Sequence, residues 1–209
     1  MFSDFSSVQA IAYRILMNGV RNNKCSHAYL INTNGYNKGF DFAKSFAKVL
    51  LCSNNSDNCT CNECLSVDND VCPDLKIINC DGLWIKKEQM DDLQAEFSMK
   101  SVSSNRKVYI INGAHNLNAS ASNSILKFLE EPEEGIVAIL VTENIYNVLG
   151  TIVSRCQVIN LNNNEAYTDS MIDNIANKLY DESDKINEFI NNPDILRYQM
   201  PDLTGNLLW

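Results

Sequence analysis

Apolar and polar positions follow two patterns along the first 161 residues, and each pattern predicts one kind of element. Five continuous apolar runs predict buried strands, at 27–32, 75–80, 107–112, 136–142 and 156–161. Stretches with helical periodicity predict helices at 6–20, 39–51, 86–100 and 117–131, with a short helical segment around 145–149. Strands and helices that alternate in this way are typical of a parallel sheet covered on both faces.

The periodicity also predicts which face of two helices is buried and where helices begin and end. Ser6 or Ser7 is the expected N-cap of the first helix, and Pro132 ends the helix at 117–131. The first helix has its apolar positions at Val8, Ile11, Ala12, Ile15, Leu16 and Val20. The helix at 39–51 has them at Phe42, Phe46, Val49 and Leu50.

The pattern changes twice along the chain. Residues 52–72 are rich in Cys, Asn, Asp and Ser, which predicts a loop-like insertion. After Leu161 the sequence becomes polar, with apolar positions at helical spacing, which indicates a small helical domain. We therefore expect an α/β domain at 1–161, interrupted by the insertion, and a helical domain at 162–209.

The formal net charge of −9 and the pI of about 4.7 change the range of expected partners. A chain this acidic has no general attraction for phosphate backbones, so contact with DNA requires a local basic patch or a partner. No apolar run approaches the roughly 20 residues needed to cross a bilayer. The N-terminus has no basic region or cleavage site typical of a signal peptide, so we expect a cytoplasmic location.

Eight cysteines are present, and their clustering predicts a metal site rather than disulfides. Four fall within thirteen residues, at Cys52, Cys59, Cys61 and Cys64. Four thiolates suit a structural zinc ion with tetrahedral coordination, although the single residue between Cys59 and Cys61 is a tight spacing. Cys72 is a fifth candidate ligand, and the sequence leaves open which four bind the metal.

The segment INTNGYNKGF, between the first predicted strand and its helix, occupies the place of a phosphate-binding loop. Such loops read GxxxxGK[ST], with glycines around the phosphates, a lysine that contacts them and a hydroxyl that holds Mg²⁺. In one register Thr33 replaces the first glycine, Lys38 the second, Gly39 the lysine and Phe40 the hydroxyl residue. A shift by one residue puts Lys38 in the lysine position, but Asn37 then replaces the second glycine and Gly39 the hydroxyl residue. Neither register therefore predicts a working phosphate site.

The strand predicted at 107–112 lacks the acidic residues of an ATP-hydrolysing site. In P-loop ATPases the corresponding strand ends in an Asp that helps hold Mg²⁺, often followed by a Glu that orients water. Asn112 and Gly113 stand at these positions. Phosphate and metal ligands are thus missing together, which argues against hydrolysis, and we expect no bound ATP or Mg²⁺.

Several motifs together resemble the bacterial DNA polymerase III clamp-loader subunits. They are HAYLI, the cysteine cluster followed by CPDL, KVYIINGAHNLNASASNSILKFLEEPEE, and TIVSRCQ, which contains Arg155. The resemblance covers roughly residues 5–161, and NSILKFLEEP and SRCQ are its most specific parts. Within the family the chain looks most like the delta-prime subunits, which commonly lack a functional nucleotide site.

The resemblance implies an AAA+ fold with a small helical lid domain, and a role in loading the sliding clamp onto primed DNA. It implies gamma/tau and delta subunits as partners within the DNA polymerase III holoenzyme. The isolated chain is expected to have no activity. The resemblance implies that Arg155 acts in trans on ATP bound by a neighbouring gamma/tau subunit, and that Cys52, Cys59, Cys61 and Cys64 form a zinc knuckle. The chain stops where a C-terminal collar domain is expected, so we expect either a fragment or a short member.

Two alternatives remain open at this point. The first is a gamma/tau-like subunit that hydrolyses ATP through an atypical loop containing Lys38. The second is a small zinc-stabilised interaction protein unrelated to replication.

Overall fold

The computed structural model describes residues 1–56, 58–97 and 106–163, and five strands within them form one sheet. The strands are β1 (Ala28–Asn32), β2 (Leu75–Ile78), β3 (Lys107–Asn112), β4 (Ile136–Thr142) and β5 (Gln157–Asn160). Their order across the sheet is β2-β3-β4-β1-β5, and every neighbouring pair is parallel. The predicted parallel sheet is confirmed.

Six α-helices connect and cover these strands. They are α1 (Ala10–Arg21), α2 (Gly39–Leu51), α3 (Asn62–Asp68), α4 (Lys87–Phe97), α5 (Ala119–Glu130) and α6 (Gly150–Val153). Short 3-10 turns lie at Phe2–Phe5, Ala114–Asn116 and Ile145–Asn147. No described helix is both long enough and apolar enough to span a membrane.

Two apolar clusters lie on opposite faces of the sheet, so the central strands are buried on both sides. One cluster contains residues of α1, α2 and α3, and the other contains residues of α4, α5 and α6. Side chains of β3 alternate between them: Ile110 belongs to the first cluster, whereas Tyr109 and Ile111 belong to the second. This double burial explains why the strands are continuous apolar runs in the sequence.

The first helix differs from its prediction in its first residue and in which residues its buried face contains. It begins at Ala10 with Gln9 as N-cap, and not after Ser6 or Ser7. The preceding Phe2–Phe5 turn is held by the packing of its aromatic rings on α2, as in the 5.1 Å contact of Phe2 with Phe42. The helix buries Ala12, Leu16, Met17 and Val20, while Ile11 is 70% and Ile15 43% exposed.

The insertion at 52–72 is not wholly a loop, because α3 lies within it. This helix has only seven residues, which is too short for its periodicity to stand out in the sequence. Two ion pairs join α2 to the insertion, Lys44 with Asp70 and Lys48 with Asp68, each at 2.5 Å. The insertion is thus a folded part of the α/β domain. The predicted helical domain at 162–209 lies outside the described residues, apart from 162 and 163.

Candidate functional site

The loop after β1 begins at the carboxyl edge of the sheet, where parallel α/β folds bind their ligands. Its backbone N–H groups donate within the fold: Thr33 to Thr142 O at 2.8 Å, Tyr36 to Thr33 O at 2.8 Å and Gly39 to Tyr36 O at 3.2 Å. In a phosphate-binding loop such N–H groups point at the phosphates. Three N–H groups of this loop already have protein acceptors.

Side-chain packing further closes the loop. A Cβ atom at Gly39 would lie 2.2 Å from Cγ2 of Thr33, so the buried threonine occupies the space beside the start of α2. Phe40 packs partly against the apolar cluster beneath α2, while Lys38 is exposed. The four residues expected to form a degenerate nucleotide loop therefore lie close together, with Thr33 packed inward.

Asparagine side chains tie the loop to the end of the neighbouring strand. Asn32 donates from Nδ2 to Oδ1 of Asn34 at 2.9 Å and to Oδ1 of Asn160 at 3.0 Å. Asn34, which has a φ of 49°, donates from Nδ2 to the carbonyl oxygen of Leu161 at 2.9 Å. The loop is thus held by its own polar side chains against β5.

The end of β3 has amide and backbone groups where an ATPase has carboxylates. Asn112 donates from Nδ2 to Oδ1 of Asn79, at the end of β2, over 3.0 Å. Gly113 has a φ of 88°, and a Cβ there would lie 3.2 Å from Asn116 Nδ2 and 3.3 Å from Cys80 Sγ. Any side chain at this position, a glutamate included, would be strained.

A cleft of 340 Å³ opens beside these residues, between the ends of β2, β3 and β4. It is lined by Asn79, Cys80, Asn112, Gly113, His115, Asn116, Val141, Thr142 and Glu143. Mg²⁺ is held by carboxylates together with water and phosphate oxygens. Glu143 is the single carboxylate among these lining residues, and the rest are neutral or apolar apart from the imidazole of His115.

Hydrogen bonds in the cleft assign one tautomer to His115. Thr142 Oγ1 donates to the carbonyl of Asn144 at 3.0 Å, so its oxygen can accept from His115 Nδ1 at 3.2 Å. His115 Nε2 then accepts from Asn116 Nδ2 at 3.2 Å, and the same amide group lies 3.4 Å from Cys80 Sγ. Thr142, His115 and Asn116 are thus linked by hydrogen bonds within the cleft.

The cysteine cluster lies where α2 ends and α3 begins. Cys52 is the C-cap of α2, Cys61 is the N-cap of α3, and Cys64 lies in its first turn. Cys59 completes the group, and all four Sγ atoms lie within 4.8 Å of one another. The single residue between Cys59 and Cys61 therefore does not prevent Cys59 from lying beside the other three cysteines.

The cluster has the dimensions of a tetrahedral thiolate site. Zn–S bonds of about 2.3 Å in a tetrahedron place neighbouring sulfur atoms about 3.8 Å apart. The Sγ atoms of Cys52 and Cys61 are 3.9 Å apart, and the 4.8 Å limit for the whole group needs only small movements. Four sulfur donors with no histidine or carboxylate in the group suit a closed structural zinc site.

The electrostatics of the four thiols differ. Hydrogen bonds from the Asn54 side chain and from the Cys61 backbone lower the pKa of Cys59 to about 7. Burial raises the pKa of Cys61 and, more strongly, that of Cys64. A dication at the centre would offset this burial cost by stabilising the thiolates.

Cys72 is separate from this group. Its buried side chain belongs to the apolar cluster under α2, and it lines a cavity of 160 Å³ together with Val67, Asp70, Leu75 and Ile77. It is absent from the metal-type cluster found among the described residues.

Arg155 lies between α6 and β5, where three contacts orient its guanidinium. Nη2 pairs with Oε1 of Glu130 at 2.8 Å, and Nη1 donates to the carbonyl of Thr151 at 2.8 Å and to Oγ of Ser154 at 3.4 Å. The side chain remains 34% exposed. The sequence singled out Arg155 but not Glu130.

Arg155 and the cleft lie at opposite edges of the sheet. The cleft lies at the carboxyl ends of β2, β3 and β4, whereas Arg155 precedes the first residue of the parallel strand β5. Gln157 pairs with Tyr29 near the start of β1, which places the beginning of β5 at the amino edge. A four-residue strand, roughly 13 Å long, separates the two edges.

Polar residues at the ends of two other strands were missed by sequence reasoning. Asn79 follows β2, and Thr142 ends β4, so both reach the cleft that contains Asn112. The available signal was a polar residue directly after each buried run, because carboxyl ends of parallel strands meet at one edge. The pairing of Arg155 with Glu130 had no comparable signal.

Comparisons with known proteins identify relatives of residues 8–165, which match the family model described as "DNA polymerase III, delta subunit". The chain is 37% identical over 160 residues to DNA polymerase III subunit delta' of Bacillus subtilis (strain 168), covering 76% of this chain and 49% of that protein. It is 32% identical over 150 residues to subunit tau of the same organism, covering 69% of this chain and 26% of that protein. The chain thus spans at most about half of these relatives.

A similar fold occurs in the crystal structure of a DNA polymerase III gamma subunit-related protein from Thermotoga maritima. The TM-score is 0.52 at 21% sequence identity, over 70% of this chain and 45% of that one. This likeness concerns the fold alone, and it agrees with the helix-covered parallel sheet that the sequence predicts.

Proposed function

The chain belongs to the DNA polymerase III delta-subunit family, and from this premise we propose that it is a delta-prime subunit of the clamp loader. In this role it does not hydrolyse ATP. It donates Arg155 in trans to ATP bound by a neighbouring gamma/tau subunit, where the guanidinium stabilises the charge on the transferred phosphoryl group.

One observation carries this proposal: Arg155 lies at the edge of the sheet opposite to the chain's own cleft. An arginine so placed is out of reach of phosphates at the carboxyl edge of its own domain. Its side chain is 34% exposed, as contact with a nucleotide held by another subunit requires. Arginine suits this task because its planar guanidinium binds phosphate oxygens through several N–H groups.

The loop and the cleft support the non-hydrolysing part of the proposal. Three N–H groups of the loop have internal acceptors, Thr33 packs against Gly39, and Asn112 pairs with Asn79. An uncharged amide compensates the charge of Mg²⁺ poorly, and Gly113 contributes no side chain. These features support the expectation that neither phosphate nor Mg²⁺ binds at the carboxyl edge.

The cysteine cluster is proposed to hold one structural Zn²⁺ through Cys52, Cys59, Cys61 and Cys64. Bound zinc would supply coordination energy that joins the end of α2 to the start of α3, and no chemistry of turnover. The residues between these ligands offer little apolar surface of their own.

We expect the sliding clamp and primed DNA to be reached through the assembly with gamma/tau and delta subunits. The net charge of −9 agrees with indirect contact through other subunits, because the chain has no general attraction for DNA. A gamma/tau-like ATPase is the second candidate, since subunit tau of Bacillus subtilis is also similar to this chain.

The trans role is tested by replacing Arg155 in the reconstituted complex of this chain with gamma/tau and delta subunits. We expect Arg155→Ala to lower clamp- and DNA-stimulated kcat for ATP hydrolysis at the neighbouring site by at least about 100-fold, because arginine fingers contribute ~10³–10⁵ in related reactions. Arg155→Lys should recover only part of the rate, since an ammonium lacks the planar array of donors.

Arg14→Ala is the matched control, because Arg14 is an exposed arginine on α1. It should leave the rate within about twofold, as surface substitutions usually do. Undiminished stimulated hydrolysis with Arg155→Ala in an intact complex would show that the trans role is wrong.

A further inference from the structure

The ion pair between Arg155 and Glu130 has no evident role in folding. Glu130 is 50% and Arg155 34% exposed at the side chain, and exposed ion pairs contribute little to stability. Glu130 is also the last residue of α5, where the helix dipole disfavours a carboxylate. A residue that is unfavourable for its own helix and pairs with the proposed functional arginine calls for a second explanation.

The contacts of Arg155 come from two different helices. Glu130 ends α5 and contacts Nη2, while the carbonyl of Thr151 in α6 accepts from Nη1. Both helices contribute to the same apolar cluster, so the two contacts are held in a defined relation. The guanidinium is thereby oriented at both of its terminal nitrogens.

This orientation leaves capacity for a ligand. A guanidinium has five N–H donors, and the three contacts on Nη1 and Nη2 leave others available for phosphate oxygens. A free arginine side chain loses rotamer entropy when it is ordered. Because Glu130 orders it beforehand, less of this cost falls on the step that needs the arginine.

We propose that Glu130 is a positioning residue: it holds the Arg155 guanidinium in the geometry that the neighbouring subunit's phosphoryl transfer requires. The inference rests on the proposed trans role of Arg155 and adds its partner within the chain. Glu130 does not contact the nucleotide, and its effect passes through Arg155.

The test uses the full chain in complex with gamma/tau and delta subunits, the sliding clamp and primed DNA, and measures kcat and KM for ATP separately. We expect Glu130→Ala to lower kcat about tenfold, within the ~100-fold that misplacement of a group can cost, and to leave KM within about twofold. Glu130→Gln keeps an oxygen acceptor, so it should lower kcat less than Glu130→Ala does.

Glu131→Ala is the matched control, because it removes the same charge one residue further along the chain; its kcat should stay within about twofold of the unmodified complex. The double variant Glu130→Ala/Arg155→Ala should be no slower than Arg155→Ala alone, since the two residues act as a unit. Melting temperatures and complex formation are measured for every variant. If Glu130→Ala does not assemble, Glu130→Gln is judged by the same criteria.

The outcomes separate the two proposals. If Arg155→Ala lowers kcat but Glu130→Ala leaves it unchanged or raises it, the positioning role alone is wrong. A further loss in the double variant would also exclude positioning, because Glu130 would then act independently of Arg155. If Arg155→Ala has no effect, the trans role is wrong and the positioning role with it.

Discussion

Gly39 and Gly150 each begin a helix, yet a methyl group would meet different surroundings at the two positions. At Gly39 a Cβ atom would lie 2.2 Å from Thr33 Cγ2 and 2.9 Å from Thr33 Cβ, whereas nothing lies within 4 Å at Gly150. Gly39 also stands where one register of a phosphate-binding loop has its lysine. The structure therefore uses this position for packing by Thr33.

Gly39→Ala should lower the free energy of unfolding by about 1–3 kcal/mol, because Thr33 is buried and β-branched and cannot move aside freely. Gly150→Ala, the matched control, should be neutral or raise the free energy of unfolding by up to about 1 kcal/mol through the unfolded state. Urea unfolding followed by circular dichroism measures both. Equal effects of the two substitutions would contradict the role given to Thr33.

At the scale of elements, α3 has only seven residues, and we propose that a metal ion in the cysteine cluster helps to hold it beside α2. Helices this short are marginal in isolation, so α3 depends on its contacts. Val67 and Cys64 bury its inner side, and two ion pairs join its far end to α2. Exposed ion pairs contribute little, so the burial of Val67 and Cys64 and the proposed metal coordination at the near end are the expected main links.

We predict one equivalent of zinc in protein purified under reducing conditions, and loss of that zinc in Cys64→Ser, because a closed site needs all four thiolates. Elemental analysis measures the metal. A strong chelator should lower the melting temperature of the unmodified protein, since binding energy is lost only from the folded state. Less than about half an equivalent in unoxidised protein would count against the site.

Cys72→Ser provides the control for this prediction. Cys72 is buried like Cys64 but belongs to the apolar cluster, so its substitution should reduce stability and leave the zinc content unchanged. If Cys72→Ser also loses zinc, Cys72 is a candidate zinc ligand again.

At the scale of the whole molecule, the loop lies at the carboxyl edge of the sheet and Arg155 at the amino edge. We predict that the isolated chain binds ATP with Mg²⁺ more weakly than about 1 mM, because three N–H groups of the loop have acceptors within the fold and the uncharged Asn112 pairs with Asn79. Equilibrium titration with labelled ATP measures this, with a gamma/tau subunit as the positive control.

Lys38→Ala distinguishes the remaining alternative in the same titration. It should change nothing if the loop does not bind phosphate. Micromolar binding that weakens at least about tenfold in Lys38→Ala would favour the gamma/tau-like ATPase.

Much of the sheet could be predicted because its strands are buried on both faces. The bounds of β3 and β4 and of α2 agree with the sequence prediction to the residue, since each is a long and unambiguous pattern. The start of α1 could not be predicted, because Phe2 packs on Phe42 and shifts the chain before the helix. Ile11 and Ile15 have helical spacing but lie outside the buried face.

Local residue order was sufficient to indicate the parallel sheet, the defective loop, the missing carboxylates and the four-cysteine cluster, because each depends on neighbours in the chain. The pairing of Glu130 with Arg155, the packing of Thr33 on Gly39 and the separation of Arg155 from the cleft depend on how distant segments meet. The periodicity of apolar residues does not predict these tertiary contacts, since they are set by strand order and helix packing. Folding of the whole domain therefore decides where Arg155 lies relative to the cleft.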